Sequence, residues 1–191
     1  MNRIFKHKSS SRGFTLIELM ITLSIAAILF SMAAPAYRDF TMNNLLASRM
    51  NHFNSVLQYA RSQAIKDKLP ITLCASADEL ATCNGTDWQS GWVLFSTDAG
   101  ASTTTVLKVG SDFSDSNDST LTATFGLNIV FDTEGTLTGG TGRGSFVMCD
   151  NRGASYAKAI ILNSVGRTQK AYDSNEDGTV EDHDGNAVTC T

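Results

Sequence analysis

A chain of 191 residues with 15 Lys and Arg against 19 Asp and Glu carries a formal charge of −4. That balance argues against general electrostatic binding to nucleic acid, which needs an excess of positive charge. The length suits one membrane helix and one modest domain with a single core.

The segment up to Gly13 holds four cations, Arg3, Lys6, Lys8 and Arg12. An apolar run then begins abruptly at Phe14 and extends through Ala36. Such a run is long enough to cross the ~30 Å hydrocarbon layer of a bilayer. A basic leader marks the cytoplasmic side, so everything after Tyr37 is expected outside. Inside the run stands a single charge, Glu18. A carboxylate deep in a membrane costs roughly 2.5–3.5 kcal/mol, so it needs a partner. Cleavage after Gly13 would create one: the new α-amine of Phe14 lies about 6 Å along the helix from Glu18. The same amine on a neighbouring copy is a second candidate. Taking the leader's four cations from 15 leaves 11 Lys and Arg against 19 Asp and Glu, a net charge of −8.

Beyond the span, residues 37–69 turn amphipathic, with Leu45, Leu46, Arg49, Phe53, Val56, Leu57, Ala60 and Ala64 recurring at steps of three and four. One long helix is predicted from Phe14 to about Lys68. Pro35 removes a backbone donor and is expected to kink it, and Pro70 ends it. Residues 70–191 then change to short runs rich in Val, Ile, Thr and Phe, at 71–74, 91–95, 105–109, 120–125, 128–131, 145–149 and 159–162. These predict an antiparallel sheet packed on the outer half of the helix. Residues 111–119 are polar and acidic and are expected to form a loop, and the glycine-rich stretch 139–144 a hairpin.

The leader, Gly13-Phe14-Thr15-Leu16-Ile17-Glu18-Leu19 and the following apolar run resemble the class III signal of type IV prepilins and type II secretion pseudopilins. The resemblance implies that a prepilin peptidase cuts after Gly13 and that Phe14 becomes the N-methylated N-terminus. It makes Glu18 the assembly acid and Pro35 the helix-kinking proline. Trp88-Gln89-Ser90-Gly91-Trp92-Val93-Leu94-Phe95, with Cys74, Cys83, Cys149 and the late Gly166-Arg167, is similar to the GspH/FimT branch of minor pilins. From the residues themselves, Trp88 and Trp92 read as core or sheet-face packing. The implied fold is α+β: a long N-terminal helix packed on an antiparallel β domain. The implied role is that of a minor pilin or pseudopilin, not an enzyme, acting at or near a filament tip in type IV pilus biogenesis or type II secretion. Its partners would be other minor and major pilins or pseudopilins and the inner-membrane assembly platform. It would be single-pass in the bacterial inner membrane, with its C-terminal domain periplasmic.

An ordinary secretory signal is the competing reading, since Ser31-Met32-Ala33-Ala34 also fits a cleavage region. Glu18 argues against it, because a conventional apolar core gains nothing from an acid. The four cysteines, Cys74, Cys83, Cys149 and Cys190, lie on the exported side, where an even count reads as disulfides with three possible connectivities. Cys74 and Cys83 close a small loop and are taken as one pair, leaving Cys149 with Cys190. Zinc is set aside, because no Cys-x-x-Cys spacing occurs and only His52 and His183 follow the leader.

Two further sites are candidates. Residues 173–184 carry the spacing of a twelve-residue calcium loop. Asp173, Asn175, Asp177 and Asp184 would be side-chain ligands, Thr179 would offer its carbonyl, and Glu181 would bind directly or through water. Position twelve is Asp rather than Glu, and a solvated acidic hairpin tip is the alternative. With this site, an exported calcium-binding domain behind an ordinary signal peptide is a further reading of the chain. The second candidate is Arg167 with Lys170. DNA-binding members of the FimT branch carry a Gly-Arg-x-Arg motif here, and this chain has Gln169 in place of the second arginine. Arg143, Arg152 and Lys158 are expected to extend a basic patch, and a solvated turn is the alternative. His52 and His183 form no evident base–nucleophile pair with a serine or cysteine.

Overall fold

The computed structural model describes residues 13–77, 82–111, 119–138 and 142–190. Most of the leader, most of the acidic stretch 111–119 and part of the glycine-rich hairpin fall outside those residues. Helix α1 (Leu16–Asp67) is 52 residues long and remains α-helical through Pro35. Lys68 follows it in the left-handed region, and Pro70 prevents resumption.

The chain divides into two compact units, with the boundary between Met42 and Asn43. The first contains the N-terminal part of α1. The second contains the rest of α1 and, among the described residues, nine strands: β1 (Ile71–Ala75), β2 (Gly91–Asp98), β3 (Thr103–Ser111), β4 (Thr120–Ala123), β5 (Asn128–Phe131), β6 (Leu137–Thr138), β7 (Gly144–Cys149), β8 (Lys158–Leu162) and β9 (Thr168–Lys170). They form two antiparallel sheets rather than one, in the orders β3-β2-β1-β5-β6 and β4-β7-β8-β9. The expected antiparallel β domain is present, divided between two sheets. Alternation within a strand reports which side chains face the core, but not which strand pairs with which.

The helical part of this second unit packs on the sheets through a narrow stripe. Leu46, Met50, Phe53, Leu57, Ala60 and Ala64 recur at alternating steps of four and three, the spacing that keeps side chains on one helix face, and all are buried. Opposite them lie Ile71, Leu73, Trp92 and Leu94 from the five-stranded sheet and Leu121, Phe146, Met148, Ile160 and Leu162 from the four-stranded one. Phe53 is the hub, with edge-on contacts to Trp88 at 6.2 Å, Trp92 at 6.3 Å and Phe146 at 4.8 Å between ring centroids. Trp88 also gives its indole N–H to the Gly126 carbonyl at 2.7 Å, so its one polar atom is satisfied. Gly110 lies flat against the Trp92 indole, where any Cβ would collide with the ring.

The four-stranded sheet is covered on its other face as well. Val147, Cys149, Ala157, Ala159 and Val188 form a second small cluster under the C-terminal segment, which the Cys149–Cys190 disulfide ties down. This double cover explains why every residue of β7 is buried. The Cys74–Cys83 disulfide joins the end of β1 to the segment ahead of Trp88.

Candidate assembly helix and surface sites

At the N-terminus of α1 the backbone N–H of Glu18 donates to the Thr15 hydroxyl at 3.2 Å. Thr15 therefore caps the helix, and Thr15-Leu16-Ile17-Glu18 is the side-chain pattern of a capping box. The resemblance attached no role to Thr15, although a Thr followed three residues later by Glu is the signal of one. The cap places Glu18 in the first turn, where unpaired amides and the positive end of the helix dipole favour an anion. The cap fixes the backbone of Glu18 one turn from Phe14.

From Phe14 to Phe40 the large apolar side chains of this unit are exposed: Phe14 at 83%, Leu16 at 78% and Phe30 at 73%, with Ile17, Leu19, Leu23, Ile25, Ile28, Leu29 and Met32 all above half. The helix is long and apolar enough to cross a membrane. Its hydroxyls are satisfied locally: Thr22 donates to the Leu19 carbonyl at 2.9 Å, Ser24 to Met20 at 2.8 Å and Ser31 to Ile28 at 2.7 Å. Back-bonding of this kind leaves no hydroxyl donor needing water in a hydrocarbon surrounding. At Pro35 the missing amide leaves the Ser31 carbonyl without its usual helical donor.

The acidic C-terminal loop closes on its own backbone. Asp173 accepts the amides of Asp177 at 3.2 Å and Gly178 at 2.8 Å. Asn175 Oδ1 accepts Asp177 N–H at 2.9 Å, and Asp177 Oδ1 accepts Thr179 N–H at 2.8 Å. Both oxygens of the buried Glu181 take the Ser174 amide. Asp184 is turned away to Arg143, 2.7 Å distant. Among the described residues no group of three or more His, Cys, Asp and Glu could hold a metal ion. The calcium expectation therefore gains no support: backbone amides and one arginine engage the oxygens that a cation would need gathered.

The basic candidates line two separate pockets. Arg167 is exposed after the turn at Gly166, its amide fixed by Asn163 Oδ1 at 2.8 Å. It lines a groove with Gln58, Arg61, Ser62, Gly166 and Thr168. Lys170 lines a different pocket, with Ala47, Met50, Asn51 and Lys158. Arg143 and Arg152 do not extend this patch. Arg143 pairs with Asp184, and Arg152 forms an ion pair with the buried Asp150 at 2.7 Å and donates to Asn43 Oδ1 at 3.0 Å. An exposed cation already matched to a carboxylate adds little positive field.

Ser145 and His183 do meet, although the sequence pattern singled out neither as a pair. The Ser145 hydroxyl accepts the His183 backbone N–H at 2.8 Å and lies 3.2 Å from Nδ1. Ser145 is fully buried, so this contact pins the C-terminal loop to β7 and exposes no nucleophile. Three carboxyls sit below their ordinary value. Asp87 is held down chiefly by the Ser90 amide, and Asp132 chiefly by the Thr136 hydroxyl, with further amides at each turn. At Asp182 burial pushes the carboxyl up, but the Asn186 and Asp184 amides and the His183 ring together outweigh it.

The sequence model described as Type II transport protein GspH matches residues 49–166, more than half of the chain. The chain belongs to the GspH family. The model of the prokaryotic N-terminal methylation motif matches residues 8–34 of this GspH-family chain. A crystal structure of the type IV minor pilin FimU from Pseudomonas aeruginosa is similar to it at a TM-score of 0.53 and 26% identity, over 70% of this chain and 92% of that one. The type IV major fimbrial protein FimA of Dichelobacter nodosus is 35% identical over 80 residues, 42% of this chain and 41% of that protein. The fimbrial protein EcpC of Eikenella corrodens is 43% identical over 44 residues, 23% of this chain and 29% of that protein. The chain thus spans less than half the length of these curated relatives. The fold, one long N-terminal helix on antiparallel sheets, is that of a type IV pilin, and the chain is a GspH/FimT-like minor pilin. Members of this family are structural subunits rather than enzymes, and they assemble with other pilins in a filament.

Proposed function

We propose that this chain is a minor pilin built into a type IV pilus at or near its tip. A prepilin peptidase cuts between Gly13 and Phe14, and the amine of Phe14 is methylated. Residues 14–36 hold the protein in the bacterial inner membrane, with the β domain in the periplasm, until the assembly platform transfers the helix into the filament core. There the Phe14 amine, its own or a neighbour's, neutralises Glu18. The observation that carries this reading is the capped N-terminal turn, which holds one acid at the head of an otherwise uncharged and exposed apolar helix. Similarity to the type IV pilus proteins FimU and FimA favours a pilus, while membership of the type II transport family GspH favours a secretion filament of the same design.

N-terminal mass spectrometry of the membrane-bound protein tests the processing step. A chain starting at methylated Phe14 is expected, and a start at Pro35 or Tyr37 returns the protein to the ordinary secretory class. For the assembly step, Glu18→Ala is expected to leave the protein in the membrane and to remove it from sheared filaments at least tenfold, by immunoblot of the two fractions. DNA capture at Arg167 and Lys170 stands second, supported by the exposure of both side chains and opposed by the net charge of −8 after leader removal.

A further inference from the structure

Strand β9 is the outer strand of the four-stranded sheet, and it lies along the exported part of α1. Gln58 Nε2 reaches Thr168 Oγ1 across the seam at 3.4 Å. On one side of that contact is the groove of about 350 Å³ that holds Arg61 and Arg167. On the other is the smaller pocket of about 80 Å³ flanked by Lys158 and Lys170. Of the helix residues lining the two, Ala47, Asn51, Gln58 and Ser62 follow at steps of four, seven and four and share one face, with Met50 and Arg61 beside them. At ~1.5 Å per residue this face is about 22 Å long. Four cations border it and no carboxylate lines either pocket.

The cationic groove is built rather than incidental. Arg61 is held by its Nε–H, which donates to the Gly135 carbonyl at 3.0 Å, and its terminal nitrogens are not fixed by that bond. Gly166 has φ 73° and approaches the same carbonyl so closely that a Cβ would overlap it. That turn delivers Arg167 to the lip of the groove. Among the described residues, no ion pair occupies Arg167, Lys158 or Lys170. The contrast within the chain is sharp: Arg143 and Arg152 are matched to acids, whereas the seam is left with positive charge alone.

We infer that this seam between α1 and β9 is a docking surface for an acidic segment of a neighbouring filament subunit. An extended stretch of six or seven residues, at ~3.3 Å each, fills its length. Carboxylates on that stretch meet Arg61 and Arg167 at one end and Lys158 and Lys170 at the other. Position supports a subunit as the occupant, because the seam lies on the helix that continues from the apolar span. The inference rests on the filament reading above, but its direct test does not use filaments.

The experiment takes the full-length processed protein in detergent micelles and a fluorescent dodecapeptide with alternating Glu and Ser. A DNA oligonucleotide of equal charge is run in parallel. Saturable, salt-sensitive binding of the peptide is expected, weakened roughly tenfold or more by Arg167→Glu with Lys170→Glu, two exposed positions whose change leaves the core intact. Lys108→Glu, on strand β3 of the other sheet, where the ammonium sits over the Tyr59 ring and lines neither pocket, is expected to leave binding unchanged. In cells, the double charge reversal should lower the protein in sheared filaments while its membrane level and N-terminus stay normal. Absence of peptide binding, equal loss with Lys108→Glu, or tighter binding of the oligonucleotide at matched salt each overturns the inference. The last result assigns the seam to nucleic acid.

Discussion

The two halves of α1 have the same backbone and opposite requirements. Before Met42 the apolar side chains are exposed around the whole helix, with Phe14, Leu16 and Phe30 far more accessible than buried. After Asn43 only one stripe is apolar, and it is buried against two sheets made by the same chain. Secondary structure therefore says little about what each half needs. A helix apolar on all sides requires lipid or other helices, whereas a striped helix requires one matching surface. One half is completed by neighbours and the other is completed by itself, which is how a subunit can be stably folded before it is assembled.

The most damaging way to break this contrast is at Phe53. Phe53→Ala empties the site where Trp88, Trp92 and Phe146 converge. It should cost the β domain about 3–5 kcal/mol. Denaturant unfolding followed by tryptophan fluorescence measures it. Membrane insertion, read by carbonate extraction, should be unchanged, because it depends on the other half. A smaller effect is expected at the opposite end. Thr15→Ala removes the cap on Glu18. Loss of such a cap should weaken the first helical turn by about 1 kcal/mol. Faster amide exchange at Ile17 and Glu18 reports this, and the fluorescence midpoint of the β domain should not move.

The smallest effect concerns acid. Asp87 and Asp132 have folded carboxyls below their ordinary value of 3.8, through the Ser90 amide and the Thr136 hydroxyl respectively. A lowered folded value means that these groups stabilise the domain fully above the ordinary carboxylate range. That contribution is lost as pH falls below it and through the folded values. Melting temperature should thus decline on acidification below about pH 4, and Asp132→Asn should flatten part of the decline. An unchanged slope in that variant removes Asp132 from the account.

Much of this architecture was legible in advance because the signals were local. The helix was expected over residues 14–68 and occurs at Leu16–Asp67. The run at 128–131 is strand β5, and the short β-rich run at 71–74 is β1 with one residue added. Strand β9 was not legible. Thr168-Gln169-Lys170 has no apolar alternation and becomes a strand only because Ile160, Ile161 and Leu162 pair with it. The same holds for the Arg61–Arg167 groove, which joins residues more than a hundred positions apart. The acidic loop left two readings open, a cation site or a solvated hairpin tip, for a related reason. Spacing counts oxygens, but it does not show that backbone amides at Asp177, Gly178 and Thr179 take them first.

What the amino-acid order determined by itself was the division of labour: a capped, singly charged apolar helix to be shared with neighbours, then a striped helix and β runs able to bury one another. Periodicity and charge act over three or four residues, so they can be read without a fold. The partition of the strands into two sheets, the convergence of aromatic rings on Phe53 and the cationic seam beside β9 were decided by tertiary packing. Each depends on which distant segments meet, and that is settled by the burial of the whole core rather than by any local run.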